Sequence, residues 1–251
     1  VMVLSLAACG ADETGKIRIG IKFDQPGLGF KKSGTYVGFD VDVAKYVAKK
    51  LGYSEDQIIW KEAPSKQREA MIQNGDVDMI LATSSITDER KKAVDFSSSY
   101  YNDSQSVVVK KDSKFANATK VSDLKDATVG VMVGTLAYDY AKANIKDDIQ
   151  TFNDDAALAQ ALDAGQIDVL VTSTVECVYM VQSEQVKDAK VVGRIAGSTD
   201  PNGMGIVLPK DSKLTAAVTK AVDDLNADGT IKKLQDKWLA EYTTDLTELK
   251  K

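Results

Sequence analysis

The stretch Gly75-Asp76-Val77-Asp78-Met79-Ile80-Leu81 recurs later in the chain as Gly165-Gln166-Ile167-Asp168-Val169-Leu170-Val171. In each copy a helix-ending glycine is followed by an acidic residue and an apolar segment short enough to be a buried strand. Both strands run into threonine and serine residues. Because ligands of parallel sheets bind outside the carboxyl ends of the strands, two similar hydroxyl-rich strand ends indicate two lobes with a ligand cleft between them.

Strands alternate with helices along the rest of the chain. Apolar segments predict strands at 16–21, 58–60, 107–109, 127–133 and 168–171. Apolar residues at helical spacing predict helices at 41–51, 66–74, 156–164, 213–227 and 231–242, of which the first three are capped by Asp40, Ser65, and Asp154 or Asp155. This order is typical of an α/β protein with largely parallel sheets.

The chain is predicted to cross between the lobes twice. The first crossover runs from Tyr100 to Val107 and the second returns from Gly197 to Ile206. We therefore expect the two crossover strands to form a hinge. The first lobe would comprise residues 17–104 plus 201–251, and the second lobe residues 105–200.

The N-terminal residues predict where the protein works. Residues 1–10 form an apolar run ending in small residues, which is typical of the end of a secretion signal and too short to span a bilayer. Leu6-Ala7-Ala8-Cys9 resembles the lipobox of bacterial lipoproteins, with an ordinary signal peptide as the alternative. We expect residues 1–16 to be signal tail, lipobox and tether, and the folded part to lie outside the cell, lipid-anchored to the membrane through Cys9.

Composition excludes several kinds of chemistry. The chain has 251 residues, 43% of them hydrophobic, which is enough for one large domain or two small ones. The absence of histidine excludes a Ser-His-Asp triad, a Cys-His pair and a histidine-ligated zinc site. Besides Cys9 there is only Cys177, so no disulfide framework is available. The net charge of −5 argues against nucleic-acid binding, and we expect no metal and no cofactor.

The first of the two strand ends continues as Ala82-Thr83-Ser84-Ser85-Ile86-Thr87-Asp88-Glu89-Arg90. Free backbone N–H groups and hydroxyls beside an arginine favour a carboxylate pocket, because the planar guanidinium fits two oxygens. The alternative is a helix N-cap at Thr87, with Asp88 and Glu89 favoured by the helix dipole and Arg90 in solvent.

From residue 16 to residue 243 the chain resembles the solute-binding proteins of polar amino-acid ABC transporters. The motifs that carry the resemblance are Tyr36-Val37-Gly38-Phe39-Asp40-Val41-Asp42, Ile86-Thr87-Asp88-Glu89-Arg90-Lys91-Lys92, Asp95-Phe96-Ser97, Val131-Met132-Val133-Gly134-Thr135, and Asp228-Gly229-Thr230 followed by Trp238. Segments 19–29 and 60–63 are similar to the glutamate-binding lipoprotein branch. The resemblance implies a two-lobed α/β fold of the type II periplasmic-binding-protein kind, a monomer that closes on its ligand, and membrane permease subunits as partners.

The resemblance also implies how the first lobe would bind an amino acid. Arg90 would hold the α-carboxylate, helped by the N–H and hydroxyl of Ser85. Thr83 and the carbonyl of Ala82 would face the α-amino group.

Further positions match those that hold a side-chain carboxylate in glutamate and aspartate binders. These are Ser65, Arg68 and Lys22, with solvated surface charges as the alternative for Arg68 and Lys22. In the second lobe, Gly134 and Thr135 open a helix whose N–H groups can meet a carboxylate.

The chain departs from the family at one position of the second lobe. Where the family usually places an acid that pairs with the ligand's ammonium, this sequence has Ser173. A hydroxyl accepts a hydrogen bond but does not neutralise the charge, so binding of an ordinary amino acid should weaken. Glu176 lies one helical turn further on, and we interpret it as a solvated acid on a helix surface. Met132, Leu136 and Tyr138 make this side of the cleft less polar.

Three classes of function follow. We favour a binding module that delivers an acidic or polar, glutamate-like amino acid to an ABC permease. Its ligand could instead be a carboxylic acid whose amine is absent or blocked. A cyclohexadienyl-dehydratase-like enzyme is a second class, but the sequence shows no acid–base pair for the cleft, so we expect no enzyme. A sensory ligand-binding domain is a third class.

Overall fold

The computed structural model describes residues 14–243 and 246–251, apart from the side chain of Ser65. Cys9 and the lipobox lie outside these residues. The strands are β1 (Ile17–Ile21), β2 (Asp24–Gln25), β3 (Gly29–Lys32), β4 (Thr35–Val37), β5 (Ile58–Glu62), β6 (Met79–Leu81), β7 (Val94–Phe96), β8 (Gln105–Lys110), β9 (Val129–Met132), β10 (Ile149–Phe152), β11 (Val169–Ser173), β12 (Ala189–Ile195), β13 (Val207–Pro209) and β14 (Glu248–Leu249). The helices are α1 (Phe39–Lys50), α2 (Arg68–Gln73), α3 (Asp88–Lys91), α4 (Leu136–Asn144), α5 (Asp155–Asp163), α6 (Thr174–Gln182), α7 (Thr215–Ala227), α8 (Thr230–Trp238) and α9 (Ala240–Thr243).

The first lobe is built on a five-stranded sheet in the order β5-β1-β6-β13-β7. The alternating residues Ile17, Ile19 and Ile21 of β1 are buried, and α1 packs its apolar face into the same core with Val43 and Val47. Strands β2, β3 and β4 form a small separate antiparallel sheet. Burial of these apolar side chains stabilises the lobe.

The second lobe is built on a six-stranded sheet in the order β10-β9-β11-β8-β12-β14. The two strands of the repeated motif occupy similar positions, with β6 in the first sheet and β11 in the second. Our expectation of largely parallel sheets is only partly correct. Strand β8 is antiparallel to both β11 and β12, and β13 is antiparallel to both β6 and β7. Strands β8 and β13 each follow a crossover, which enters the sheet at the edge where the parallel strands end. They therefore run in the direction opposite to those strands.

The two crossover segments run side by side between the sheets. Tyr101 pairs with Met204 in an antiparallel bridge, and the N–H of Asp200 donates to the carbonyl of Asp103 at 2.8 Å. The side-chain amide of Asn102 donates to the carbonyl of Asp200, also at 2.8 Å. These bonds make the crossovers a short two-stranded ribbon that can bend as one unit.

The C-terminal residues differ from our expectation. We placed residues 201–251 in the first lobe, but β14 pairs in parallel with β12 of the second sheet, with Ile195 opposite Leu249. Leu249 is buried in the second core. The assignment to the first lobe is therefore wrong for this last strand. A short terminal strand can pair with any open sheet edge, and the sequence does not show which edge accepts it.

Several helix starts also differ. Asp40 lies inside the first turn of α1, where its side chain is buried, and Gly38 precedes the helix with a φ of 131°. Residues 65–67 form a 3₁₀ turn before α2 begins at Arg68. Asp154 caps α5 by accepting a 2.8 Å hydrogen bond from the N–H of Ala157, as predicted. Among the described residues, no helix combines the length and the apolar character that crossing a membrane requires.

Candidate functional site

A cavity of about 850 Å³ lies between the two sheets. It is lined by the end of β6 and the helices α2 and α3 on one side, and by the ends of β9 and β11 with α4, α5 and α6 on the other. Eight of the predicted ligand-binding residues line it: Lys22, Arg68, Thr83, Ser85, Arg90, Gly134, Thr135 and Ser173. The structure thus brings residues that are distant in sequence to one cleft.

The hydroxyl-rich end of β6 is fixed by the second crossover. Thr83 adopts a φ of 55°, a left-handed conformation that turns the chain immediately after the strand. Ser85 pairs with Met204, and the N–H of Gly205 donates to the carbonyl of Ser84 at 3.0 Å. The strand end that lines the cleft is therefore bonded directly to the hinge.

Arg90 extends into the cleft from α3. The helix is capped as the alternative interpretation predicted, since the hydroxyl of Thr87 accepts a hydrogen bond from the N–H of Arg90 at 3.2 Å. The guanidinium donates to the carbonyl of Ser85 at 2.8 Å, which holds it beside the strand end. Arg90 is still accessible to water, but the surrounding walls desolvate it and lower its pKa, while Asp200 opposes this shift. The cap and the cleft-facing arginine coexist.

Arg68 lines the same wall and is half-buried. Its Nε donates to the carbonyl of Ala63 and its Nη1 to the carbonyl of Ala82, both at 2.9 Å. Desolvation lowers the pKa of Arg68, whereas the nearby Asp40 raises it. The carbonyl of Ala82 thus already accepts one hydrogen bond, and its expected role toward an α-amino group stays a prediction.

Lys22 follows β1 and is held by a neighbouring acid. Its ammonium lies 3.3 Å from a carboxylate oxygen of Asp24, and its side chain is only 12% exposed. Lys22 thus lies at the cleft with one acidic partner already in place. The backbone of residue 65 belongs to the turn that precedes Arg68, but its side chain lies outside the described residues, so the role of Ser65 stays a prediction.

The second-lobe wall begins at the N-terminus of α4. Thr135 caps this helix by accepting from the N–H of Tyr138 at 3.3 Å, and its hydroxyl donates to the carbonyl of Met132 at 2.7 Å. Gly134 has a φ of 71°, which allows the turn between β9 and the helix. Of the three residues expected to make this side less polar, Met132 and Leu136 line the cleft, whereas Tyr138 packs against the second core.

Ser173 ends β11 and directly precedes α6. A hydrogen bond with the Ser173 side chain is one of the interactions that lower the pKa of the buried Asp103, although burial outweighs them and raises that pKa to about 6. The following residue, Thr174, shares hydrogen bonds with the hydroxyls of Ser104 and Ser106 at 2.9 and 2.8 Å. The hydroxyls of Ser173 and Thr174 are therefore already engaged behind the cleft.

Glu176 contradicts our interpretation of it as a solvated acid. Its side chain is only 9% exposed and lines the cleft, because the first lobe packs against α6 through Val175 and Val178. Burial raises the pKa of Glu176, as does the charge of Asp155, while Lys22 lowers it. No hydrogen bond or ion pair joins its carboxylate to another described residue.

Among the polar residues of the cleft that sequence reasoning did not propose, three have a buried atom without a hydrogen-bond partner in the described part of the chain. Asp155 is the first residue of α5, and its Oδ1 is buried without a hydrogen-bond partner among the described residues. Gln25 and Gln105 also line the cleft, and each has one buried amide atom without such a partner. The family resemblance pointed to Ser173, whereas only packing brings these three side chains to the cavity. The first-lobe wall of the cleft thus carries cationic groups, and both walls carry polar groups without a hydrogen-bond partner among the described residues.

Comparisons with known proteins agree with this architecture. Residues 17–241 match the model of the bacterial extracellular solute-binding proteins, family 3. The glutamate-binding protein GluB of Corynebacterium glutamicum is 33% identical, over 98% of this chain and 89% of the relative. The glutamine-binding protein GlnH of Bacillus subtilis is 31% identical, over 95% of this chain and 93% of its own.

A solved structure gives the same result at the level of the fold. An ancestral arginine-binding protein bound to arginine superposes with a TM-score of 0.74 and 32% identity, covering 90% of this chain and 99% of its own. The two sheets, the paired crossovers and the cleft define a two-lobed periplasmic-binding-protein type of fold. The chain belongs to the bacterial extracellular solute-binding proteins of family 3, and it is an amino-acid-binding component of an ABC transporter.

Proposed function

We propose that this protein binds an acidic or polar, glutamate-like amino acid in the cleft and delivers it to membrane permease subunits. The observation that carries this proposal is the pair of guanidinium groups, Arg68 and Arg90, on the first-lobe wall. Two arginines suit a ligand with two oxygen-rich ends, because each planar fork can donate to a pair of oxygens. Lys22 adds positive charge beside them.

The names of the relatives point to different amino-acid ligands. GluB is named for glutamate and GlnH for glutamine, whereas ArtP of Bacillus subtilis, 29% identical over 94% of this chain, is named for arginine. A cationic side chain would have to approach Arg68 and Arg90, which disfavours it electrostatically. The charge of the first-lobe wall therefore favours glutamate or glutamine over arginine.

A ligand screen tests this proposal. The purified protein is titrated by calorimetry with L-glutamate, L-aspartate, L-glutamine and L-arginine, together with glutarate and N-acetyl-L-glutamate. We expect L-glutamate or L-glutamine to bind most tightly. Preferential binding of L-arginine would contradict the assignment of the first-lobe wall, and a response only to glutarate or the N-acetylated acid would favour a non-amino or blocked ligand.

The lipid anchor is part of the same proposal. Leu6-Ala7-Ala8-Cys9 supports lipidation of Cys9, which would hold the binding protein at the membrane near its permease. Expression of the wild type and of Cys9→Ser in a bacterium that processes lipoproteins tests it. We expect the wild type in the membrane fraction and the variant released from it, whereas identical fractionation would contradict anchoring through Cys9.

One observation favours a second candidate, an enzyme on the same fold. Glu176 is a buried carboxyl in the cleft whose pKa is raised, so it can hold a proton that a leaving hydroxyl group would need. One solved relative, 31% identical with a TM-score of 0.71, is described as an ancestral amino-acid-binding protein and a precursor of cyclohexadienyl dehydratase. Incubation with prephenate and arogenate, with product detection by absorbance, distinguishes turnover from binding. We expect binding without turnover.

A further inference from the structure

We propose that Glu176 is the group that pairs with the ligand's ammonium, and that this protein therefore requires a ligand carrying a free amine. The inference rests on the proposed function, because it assumes that the cleft binds an amino acid. Because Ser173 stands where the family usually has an acid, we expected the second lobe to offer the ammonium no anionic partner. Glu176 would supply that partner.

Glu176 is buried without a hydrogen-bond or ion-pair partner among the described residues. Its side chain is 9% exposed, it faces the cavity, and no described residue donates a hydrogen bond to it or forms an ion pair with it. A buried carboxyl without a partner is costly, so such groups are rare unless a ligand supplies the missing interaction. The cavity is the side from which that interaction can come.

The hydroxyls of the neighbouring residues Ser173 and Thr174 form hydrogen bonds away from the cavity. Thr174 is completely buried and bonds to Ser104 and Ser106, and Ser173 interacts with Asp103. None of these groups offers a free anion to the cavity. Among the polar groups at the start of α6, Glu176 is the one that offers the cavity a carboxylate without a hydrogen-bond partner among the described residues.

Charge is distributed unevenly across the cleft, with cations on the first lobe and acids on the second. Arg68 and Arg90 on the first lobe attract carboxylates, so an amino acid would place its carboxylate ends toward that wall. Its ammonium would then face the second lobe, where Glu176 and Asp155 lie. An ammonium between these acids gains a charge-assisted hydrogen bond and relieves their mutual repulsion.

The charged and titratable groups that face Glu176 come from several elements. They are Asp155 on α5, Lys22 after β1, Asp24 in β2, Asp103 in the first crossover and Tyr242 on α9. Acids outnumber cations in this set, and Lys22 is already paired with Asp24. A ligand ammonium would add the missing positive charge, and the ionised form of Glu176 would be favoured once it binds.

The test compares matched ligands and matched variants. L-glutamate and glutarate differ in the amine, as do L-glutamine and its deaminated analogue 5-amino-5-oxopentanoate. Titrations use the wild type, Glu176→Gln, and Glu248→Gln as the control, because Glu248 is exposed on β14 and does not line the cleft. We expect Glu176→Gln to weaken binding of the amino acid by about tenfold or more and to leave binding of the deaminated analogue unchanged or tighter. Glu248→Gln should leave the affinity for both within about twofold.

A second measurement does not depend on affinity alone. Calorimetry in buffers of different ionisation enthalpy counts the protons released when the ligand binds. We expect the wild type to release a fraction of a proton with the amino acid near pH 7 but not with its deaminated analogue, and Glu176→Gln to lose this release. Thermal melting shows whether Glu176→Gln is folded, and we expect its melting temperature to equal or exceed that of the wild type, since a neutral amide is easier to bury.

The outcomes separate the inference from the proposed function. If the wild type binds none of the amino acids tested, the proposed function and the inference both fail. If it binds an amino acid but Glu176→Gln changes neither the ratio to the deaminated analogue nor the proton release, only the inference is overturned. Tighter wild-type binding of the deaminated acid would also overturn it.

Discussion

The hydroxyl of Tyr100 donates a 3.0 Å hydrogen bond to Oδ1 of Asp40 inside the first core. Tyr100 begins the first crossover and Asp40 lies in α1, so this bond joins the hinge to the first lobe. The other oxygen, Oδ2, is buried without a partner among the described residues. Burial raises the pKa of Asp40 to about 6, while the bond from Tyr100 and the charges of Lys22 and Arg68 limit the shift.

Replacement of Tyr100 by phenylalanine should destabilise the protein by about 1–3 kcal/mol, because it leaves a buried carboxylate oxygen without its donor. Urea denaturation at pH 7.5 measures this difference. The control is Tyr53→Phe, since the hydroxyl of Tyr53 bonds to no described residue, and its effect should lie within about 0.5 kcal/mol. Equal stability of the two variants would show that the bond to Asp40 contributes nothing.

The ligand-free protein should lose stability as the pH rises from about 4.5 to about 7. Burial raises the pKa of Asp40 and of Asp103 to about 6, above the value of an unfolded aspartate, so the folded state binds more protons in this interval. The stabilisation that these two carboxyls contribute is therefore fully present below the pKa of an unfolded aspartate. It is lost as the pH rises through their pKa in the folded state. Each pKa unit corresponds to about 1.4 kcal/mol, which gives about 3 kcal/mol for each carboxyl.

Urea titrations across this pH interval test the sign. Asp228, whose pKa is lowered to about 2 by hydrogen bonds from Thr230 and Tyr46, titrates below the interval and does not obscure it. The variant Asp40→Asn keeps an acceptor for Tyr100. Its stability should lack the part of the pH dependence that Asp40 contributes in the wild type. A wild-type stability that increases from pH 4.5 to pH 7 would contradict the assigned direction.

Replacement of Arg90 by alanine should weaken ligand binding at least about thirtyfold, since truncating one member of a desolvated charge pair costs about 2–5 kcal/mol. Calorimetry with the tightest-binding amino acid measures the change. The control is Lys91→Ala, because Lys91 is exposed on the same short helix and does not line the cleft. Folded Arg90→Ala protein with nearly unchanged affinity would remove Arg90 from the site.

Replacement of Leu249 by alanine should destabilise the protein by about 2–4 kcal/mol, because the side chain is buried in the second core. Glu248→Ala, the neighbouring exposed position of β14, should change stability by less than about 0.5 kcal/mol. Hydrogen exchange should show the loss of protection in β12 for the leucine variant. If the destabilisation instead spread through the first sheet, the pairing of β14 with β12 would not be its cause.

Ligand binding should make the protein more compact, because the paired crossovers allow the lobes to close around the cleft. Small-angle scattering with and without saturating ligand measures the radius of gyration. Arg90→Ala at the same ligand concentration serves as the control and should show no change. An unchanged wild-type profile at saturation would contradict closure by the hinge, and the same data report whether the protein is a monomer.

Local patterns in the sequence predicted many of the helices and strands and, through the resemblance, the family. The repeated glycine–acid–apolar motif predicted strands β6 and β11, and the motif from Ile86 to Lys92 carried a resemblance that the comparisons confirm. Periodicity and capping residues are local signals, so they specify helices and strands without knowledge of their partners. The two-lobed fold follows from these elements together with the resemblance.

Tertiary structure alone decided how individual groups are used. Strand β14 is two residues long and carries no periodic signal, so its sheet is known only from its pairing with β12. The carbonyl of Ala82 is engaged because Arg68 folds back on it. Glu176 occupies a position that in isolation suggests a solvated acid, and it becomes a buried group of the cleft only because the first lobe packs against α6. Burial and its electrostatic consequences depend on contacts between residues distant in sequence, which no local pattern encodes.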